Sequence, residues 1–369
     1  MIATLLLSSF LFVGTSVPEW VSALKPEGNM SLQYRERRDQ HRDIGGLESK
    51  GYFRITPQIE ENLEIGVEIR AANQDWRSPR GRVGAEKGFS DFQLALSQAF
   101  VAYRLRQLGE SQIILSAGKM PSPFGYSPLT WDQELRPEGF YEAAIFRFPE
   151  SRFQVRLHAA QWNADRMQES LVDSAPARRF WLFQQGADFH WQANEDLEWV
   201  AGVHSYVFTT PSERIGEESA NRGNRLVNNE GDQAPRLQEK FAPVEGFIEL
   251  RGSALGIPAR VRGGSAINFR TNDQARGFHA LLSIGDSWRK KGLEARLEWM
   301  YLEPHLQMAF FNDSLWGYAN RHGGRAELCW GFSKRSRLVS SFLYAPTIQE
   351  TSLQANRIEI SGGFEMKWP

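Results

Sequence analysis

Residues 63–71 read Leu-Glu-Ile-Gly-Val-Glu-Ile-Arg-Ala, with apolar side chains at every odd position and charged residues or glycine at every even one. Successive side chains of an extended chain point to opposite faces, so strict alternation predicts a strand with one apolar and one wet face. The period returns at 153–159, at 293–299 and along 358–368, and no segment offers a comparably clean helical period. A chain written this way folds into sheet.

Marking every such stretch predicts about sixteen strands, at 29–37, 51–60, 63–72, 91–105, 111–120, 140–148, 152–162, 179–192, 196–208, 241–252, 257–269, 276–285, 292–303, 318–332, 336–345 and 356–368. The connectors alternate. Short links fall at 61–62, 106–110, 149–151, 193–195, 253–256, 286–291 and 333–335; the others, including 38–50, 73–90, 121–139, 163–178, 209–240 and 304–317, are mostly longer, with 270–275 the exception. Strands of about ten residues, tight turns at one end, long polar loops at the other and an even strand number predict a transmembrane antiparallel up-and-down β-barrel. In 92–101 the apolar set changes parity near Ser97, the mark of a β-bulge.

A soluble sandwich also alternates, so the inward face has to decide. A barrel of about sixteen strands is too wide for side chains to fill, and its lumen must be wet. The inward phase carries Arg54, Glu64, Glu68, Arg70, Arg104, Arg156, His158, Glu249, Arg260, Arg262, Arg296, Arg325 and Glu327, among others, which describes a water-filled wall and not a core. The outward phase keeps Trp181, Phe183, Phe189, Trp191, Trp199, Trp299, Tyr301, Trp330 and Trp368 mostly near strand ends, as aromatic girdles at a membrane interface require. A mean hydropathy of -0.46 with no apolar run near the roughly 18 residues of a spanning helix excludes a helical bundle. A net charge of -1 gives no global attraction to nucleic acid, and the lone Cys329 excludes an intramolecular disulfide and a multi-cysteine metal cluster.

Met1 to Val13 is an apolar stretch of signal-peptide size, followed by small residues, so residues 1–23 are expected to be an export signal and 24–369 the barrel domain. Residues 120–139, MPSPFGYSPLTWDQELRPEG, hold four prolines among Phe124, Tyr126, Trp131, Asp132, Glu134, Arg136 and Glu138. The prolines bar it from the sheet and the aromatics from full solvation. Its simplest destination is the lumen, with 121–139 as an inward-folded constriction loop between the fifth and sixth strands.

Gly118-Lys119-Met120, Pro123-Phe124, Ser127, Leu129, Trp131-Asp132 and Leu135-Arg136-Pro137-Glu138-Gly139 resemble the hallmark segment of the putative porin family of Gram-negative outer membranes, relatives of the general and phosphate-selective porins. The resemblance implies a passive channel for small hydrophilic solutes and ions, lodged in outer-membrane lipid. It also implies a constriction carried by Trp131, Asp132, Glu134, Arg136 and Glu138, a facing wall that includes Arg54, Arg70 and Arg104, and a homotrimer. The chain departs from the pattern in ending Trp368-Pro369 and in lacking a lysine-rich loop ladder, which argues against a dedicated phosphate channel.

No phosphate loop, His-Glu-x-x-His, nucleophile elbow or calcium-loop spacing occurs, and no cofactor is expected. The seven histidines, scattered over strands and loops, read as polar lumen or rim residues, and Cys329 as a structural thiol. Asp132, Glu134 and Glu138 have the chemistry of an acid/base pair, but a solute-screening cluster on a pore loop is the simpler reading. The remaining alternatives are a non-conducting barrel with an adhesive or structural role and a barrel-based outer-membrane enzyme.

Overall fold

The computed structural model describes residues 23–39, 42–72, 93–106, 111–125, 127–132, 135–164, 180–209, 240–271, 273–350 and 354–368, together with 216, 219, 222–224, 226–227 and 236–237. The leader 1–22, Glu134 and Pro369 lie outside the described residues.

Sixteen long strands form the wall: β1 (Glu27–Asp39), β2 (Arg42–Ile55), β3 (Leu63–Ala72), β4 (Gln93–Arg106), β5 (Gln112–Lys119), β6 (Glu138–Phe148), β7 (Phe153–Asn163), β8 (Trp181–Asn194), β9 (Leu197–Phe208), β10 (Pro243–Ala254), β11 (Ile257–Asn268), β12 (Arg276–Gly285), β13 (Leu293–Leu302), β14 (Arg321–Ser333), β15 (Ser336–Ala345) and β16 (Arg357–Trp368). Each pairs antiparallel with its sequence neighbour, and β16 returns to β1 with Met366 opposite Met30 and Gly362 opposite Tyr34. Closure satisfies the backbone groups an open sheet would leave at its edges, which hydrocarbon does not tolerate. Among the described residues no helix is long and apolar enough to cross a membrane.

Alternation sorts the side chains. On β3, Ile65 and Ile69 face outward and exposed while Glu68 on the opposite face is fully buried. Aromatic rings gather at the short-turn end of the outer surface, where Phe153 packs 6.1 Å from Phe148 and 6.3 Å from Phe189, and Trp330 packs 4.6 Å from Phe332. The parity change near Ser97 is a bulge: Gln98 pairs with Glu68 and Leu96 with Ile69, leaving Ser97 as the extra residue.

Besides the strand expected at 51–60, which ends at Ile55 with Gln58–Glu60 a separate short strand against β3, and the strand expected at 318–332, which starts only at Arg321, two connectors differ from the sequence reading. The expected long link 38–50 is strand, because β1 and β2 run on to Asp39 and Arg42 and the connection shrinks to residues 40–41. The expected constriction loop 121–139 is shorter, since Glu138 and Gly139 already pair with Lys119 and Gly118 in the β5–β6 ladder. Tight turns behave as chain geometry demands. Between β10 and β11, Leu255 and Gly256 both have positive φ, 56° and 76°, which matches the right-handed twist of a two-residue hairpin.

Candidate functional site

Gly118, the residue before the last of β5, has φ 118°, and a Cβ there would sit 2.3 Å from the Ala99 carbonyl oxygen; only glycine lets the chain turn off the wall at that point. From there the described residues of 120–137, which leave out 126, 133 and 134, enter the lumen. Leu129, fully buried, packs with Met300 and Leu302 of β13 and Leu343 of β15. β13 is eight strands from β5, half the barrel's circumference, so the loop crosses the full width of the lumen.

Polar contacts fasten it on both sides. The Thr130 hydroxyl lies 3.0 Å from the Tyr206 hydroxyl on β9 and donates to Glu245 on β10. At the other side Arg136 Nε stands 3.8 Å from a carboxylate oxygen of Glu68 on β3. Glu68 also accepts from Arg54 Nε at 2.9 Å, Arg70 Nε at 2.8 Å and Gln98 Nε2 at 2.9 Å. One carboxylate thus gathers two wall arginines and the loop's own, and guanidinium forks suit such shared, charge-assisted bonding.

A second loop, residues 303–320, meets the first inside the barrel. Its two 3-10 turns, Ala309–Phe311 and Ser314–Trp316, present Phe311 and Trp316 to the interior, both fully buried. Gln307 Nε2 donates to the Thr130 carbonyl at 3.0 Å, Asn312 Nδ2 to the Leu129 carbonyl at 2.6 Å, and Asp132 N to the Phe311 carbonyl at 2.8 Å. The loop after β9 braces this pair: Ala309 N donates to Asn224 Oδ1 at 2.7 Å, and the Arg222 guanidinium lies 5.0 Å from the Phe310 ring.

The residues expected at the constriction therefore divide. Trp131, 1% exposed, packs 6.1 Å from Phe311, and Asp132 accepts from Ser314 N at 3.2 Å; both join loop to loop. Arg136 anchors the loop to the wall. Glu138 belongs to β6, on the same face as the exposed Phe140, so it is a barrel residue at the rim and not part of the loop. The connector expected at 304–317 extends over 303–320, and its run of Leu306, Met308, Phe310, Phe311, Leu315 and Trp316 without any period is the sequence signal of its inward packing.

Strand parity puts Arg54, Arg70, Arg104, Arg156, Arg260, Arg262, Arg296 and Arg325 on the lumen side, most of them held by glutamates on the same wall. Arg104 meets Glu64 at 2.6 Å, and Glu249 takes Arg260 at 2.7 Å and Arg262 at 3.5 Å. Arg296 reaches Glu294 at 2.9 Å and Glu327 at 3.3 Å, while Arg325 is shared by Glu327 and Glu298. Arg156 faces Asp188 in register. These arginines are paired with carboxylates of the wall itself, strand by strand, while the loop carboxylate Glu134 lies outside the described residues.

A closed sixteen-stranded barrel with a charged inner wall and a loop folded across its lumen is the architecture of a porin. The chain belongs to the putative porin family, whose sequence profile matches residues 38–240. Its fold is similar to that of Pseudomonas putida OprB, at 8% identity and TM-score 0.60, covering 93% of this chain and 94% of that one. It is also similar to an outer membrane protein of Vibrio cholerae, OmpT with its loop L8 deleted, at 10% identity and TM-score 0.51, covering 93% and 99%. No curated protein matches the sequence.

Proposed function

We propose that the barrel is a passive outer-membrane channel for small hydrophilic solutes and ions, narrowed where residues 120–137 cross the lumen and are clasped by 303–320, with no covalent step in its action. The observation that carries this reading is the inner wall: rows of Arg–Glu pairs around a closed barrel are tolerable only against water, because charges facing an empty or apolar interior cost several kcal/mol each. Width follows from strand number, and selection follows from the loops. Residues 1–23 act as the export signal, and three copies assemble as in general porins. The test is conductance of the purified, detergent-folded protein in a planar bilayer. Stable ohmic steps, grouped in threes, are expected. A folded, heat-modifiable barrel that conducts nothing would sink the proposal and turn attention to an adhesive or structural role, and a mature N-terminus retaining residues 1–23 would remove the export signal.

A further inference from the structure

His158 on β7 and His204 on β9 lie opposite the same residue of the intervening strand, Gly186 on β8. Gly186 has no side chain to keep them apart: a Cβ there would come within 2.4 Å of His204 Cδ2 and 2.9 Å of His158 Nε2. The two imidazoles consequently approach to 5.3 Å between ring centres, above Asp188, the next inward residue of β8. His204 Nε2 is 2.8 Å from Asp188 Oδ1 and His158 Nε2 is 3.5 Å from Oδ2. One donor atom from each of the three residues falls within 4.8 Å of the others, and all three residues are more than nine-tenths buried. Neither ring nitrogen of His158 has a hydrogen-bond partner, which a buried imidazole rarely accepts. Phe124 of the lumen-crossing loop closes the site, stacked on His158 at 4.1 Å and edge-on to His204 at 5.5 Å.

We propose that His158, Asp188 and His204 bind a divalent first-row transition cation on the lumen wall beneath the loop. Two imidazole nitrogens and one carboxylate are the donor set that zinc and its neighbours take, whereas magnesium and calcium prefer oxygen alone. A tetrahedral ion holding donors at about 2.0–2.2 Å sets them about 3.4 Å apart, so the observed cluster needs only side-chain adjustment. The cation satisfies the idle His158 nitrogen and ties β7, β8 and β9 together where Phe124 rests. Arg156, opposite Asp188, is the neighbouring positive charge that limits affinity.

The experiment uses the full-length, untagged, detergent-folded barrel, stripped with chelator and titrated with Co²⁺, whose visible absorption reports nitrogen and oxygen ligation, followed by displacement with Zn²⁺. One equivalent is expected at micromolar metal. His158→Gln, His204→Gln and Asp188→Asn, each checked for folding by heat modifiability, should weaken binding by about 100-fold or more, beyond the loss a mere supporting residue gives. His322→Gln, outside the cluster, should bind as the parent does. No uptake by the folded parent protein, or equal binding by the folded cluster variants, overturns the site. Should those variants fail to fold, X-ray absorption on the Zn²⁺-loaded parent decides: two imidazoles in the coordination sphere support the site and an all-oxygen sphere refutes it.

Discussion

Glu68 shows how much one side chain holds here. It is fully buried, and Arg54, Arg70 and Arg136 converge on it. Glu68→Gln takes the shared carboxylate from these three guanidinium groups, of which Arg54 keeps Glu27 and Arg136 keeps the Leu135 carbonyl. The expected cost is about 2–3 kcal/mol, below the full penalty for breaking a buried pair because Arg54 and Arg70 stay about a quarter exposed. Urea unfolding of the lipid-reconstituted barrel measures it, and an unchanged midpoint would deny Glu68 this role. Leu255, the opposite case, is wholly exposed at φ 56° in the β10–β11 turn, a conformation that asparagine adopts more easily. Leu255→Asn should raise stability by about 0.5–1 kcal/mol in the same assay, leaving conductance untouched. The Ser97 bulge was legible because a single residue broke a period of two. The Gly186 gap was not, because its meaning depends on which residues face it from β7 and β9, and cross-strand register is absent from a linear reading.

At the scale of elements, strands were legible wherever one face meets lipid and the other water. They were misread at 38–50, where β1 and β2 extend into a charge-rich stretch reading RDQHRDIGGLESK and alternation fades. The lumen-crossing loop could be found from its prolines and aromatics, but its clasp could not: the hydrogen bonds that join it to residues 303–320 link positions more than 170 apart in sequence. Gln307→Ala with Asn312→Ala removes two buried donors to that loop's carbonyls, at about 1 kcal/mol each. The double variant should show faster amide exchange at 127–132 and noisier, larger conductance steps with the barrel still heat-modifiable. Unaltered exchange and conductance would mean that apolar packing around Trp131 and Phe311 suffices to hold the loop.

For the whole molecule, the self-paired wall has a functional consequence. Arginines neutralised by glutamates on neighbouring strands leave little net field across the lumen, and mobile salt screens what remains within about 10 Å at 0.1 M. A reversal potential close to zero in a KCl gradient is therefore expected; a strongly selective channel would show that the paired charges do not govern permeation. Period two, girdle aromatics and connector lengths were enough to specify strand number, the lipid face and the wet face, because each strand meets the same two solvents and records them locally. Where the arginines end, on loop carboxylates or on wall glutamates, was a matter of distances between strands, and so was the meeting of His158, Asp188 and His204. Those were decided only when β16 closed on β1 and the loops met inside, because the contacts join residues that share no sequence neighbourhood, only a position on the same inner surface.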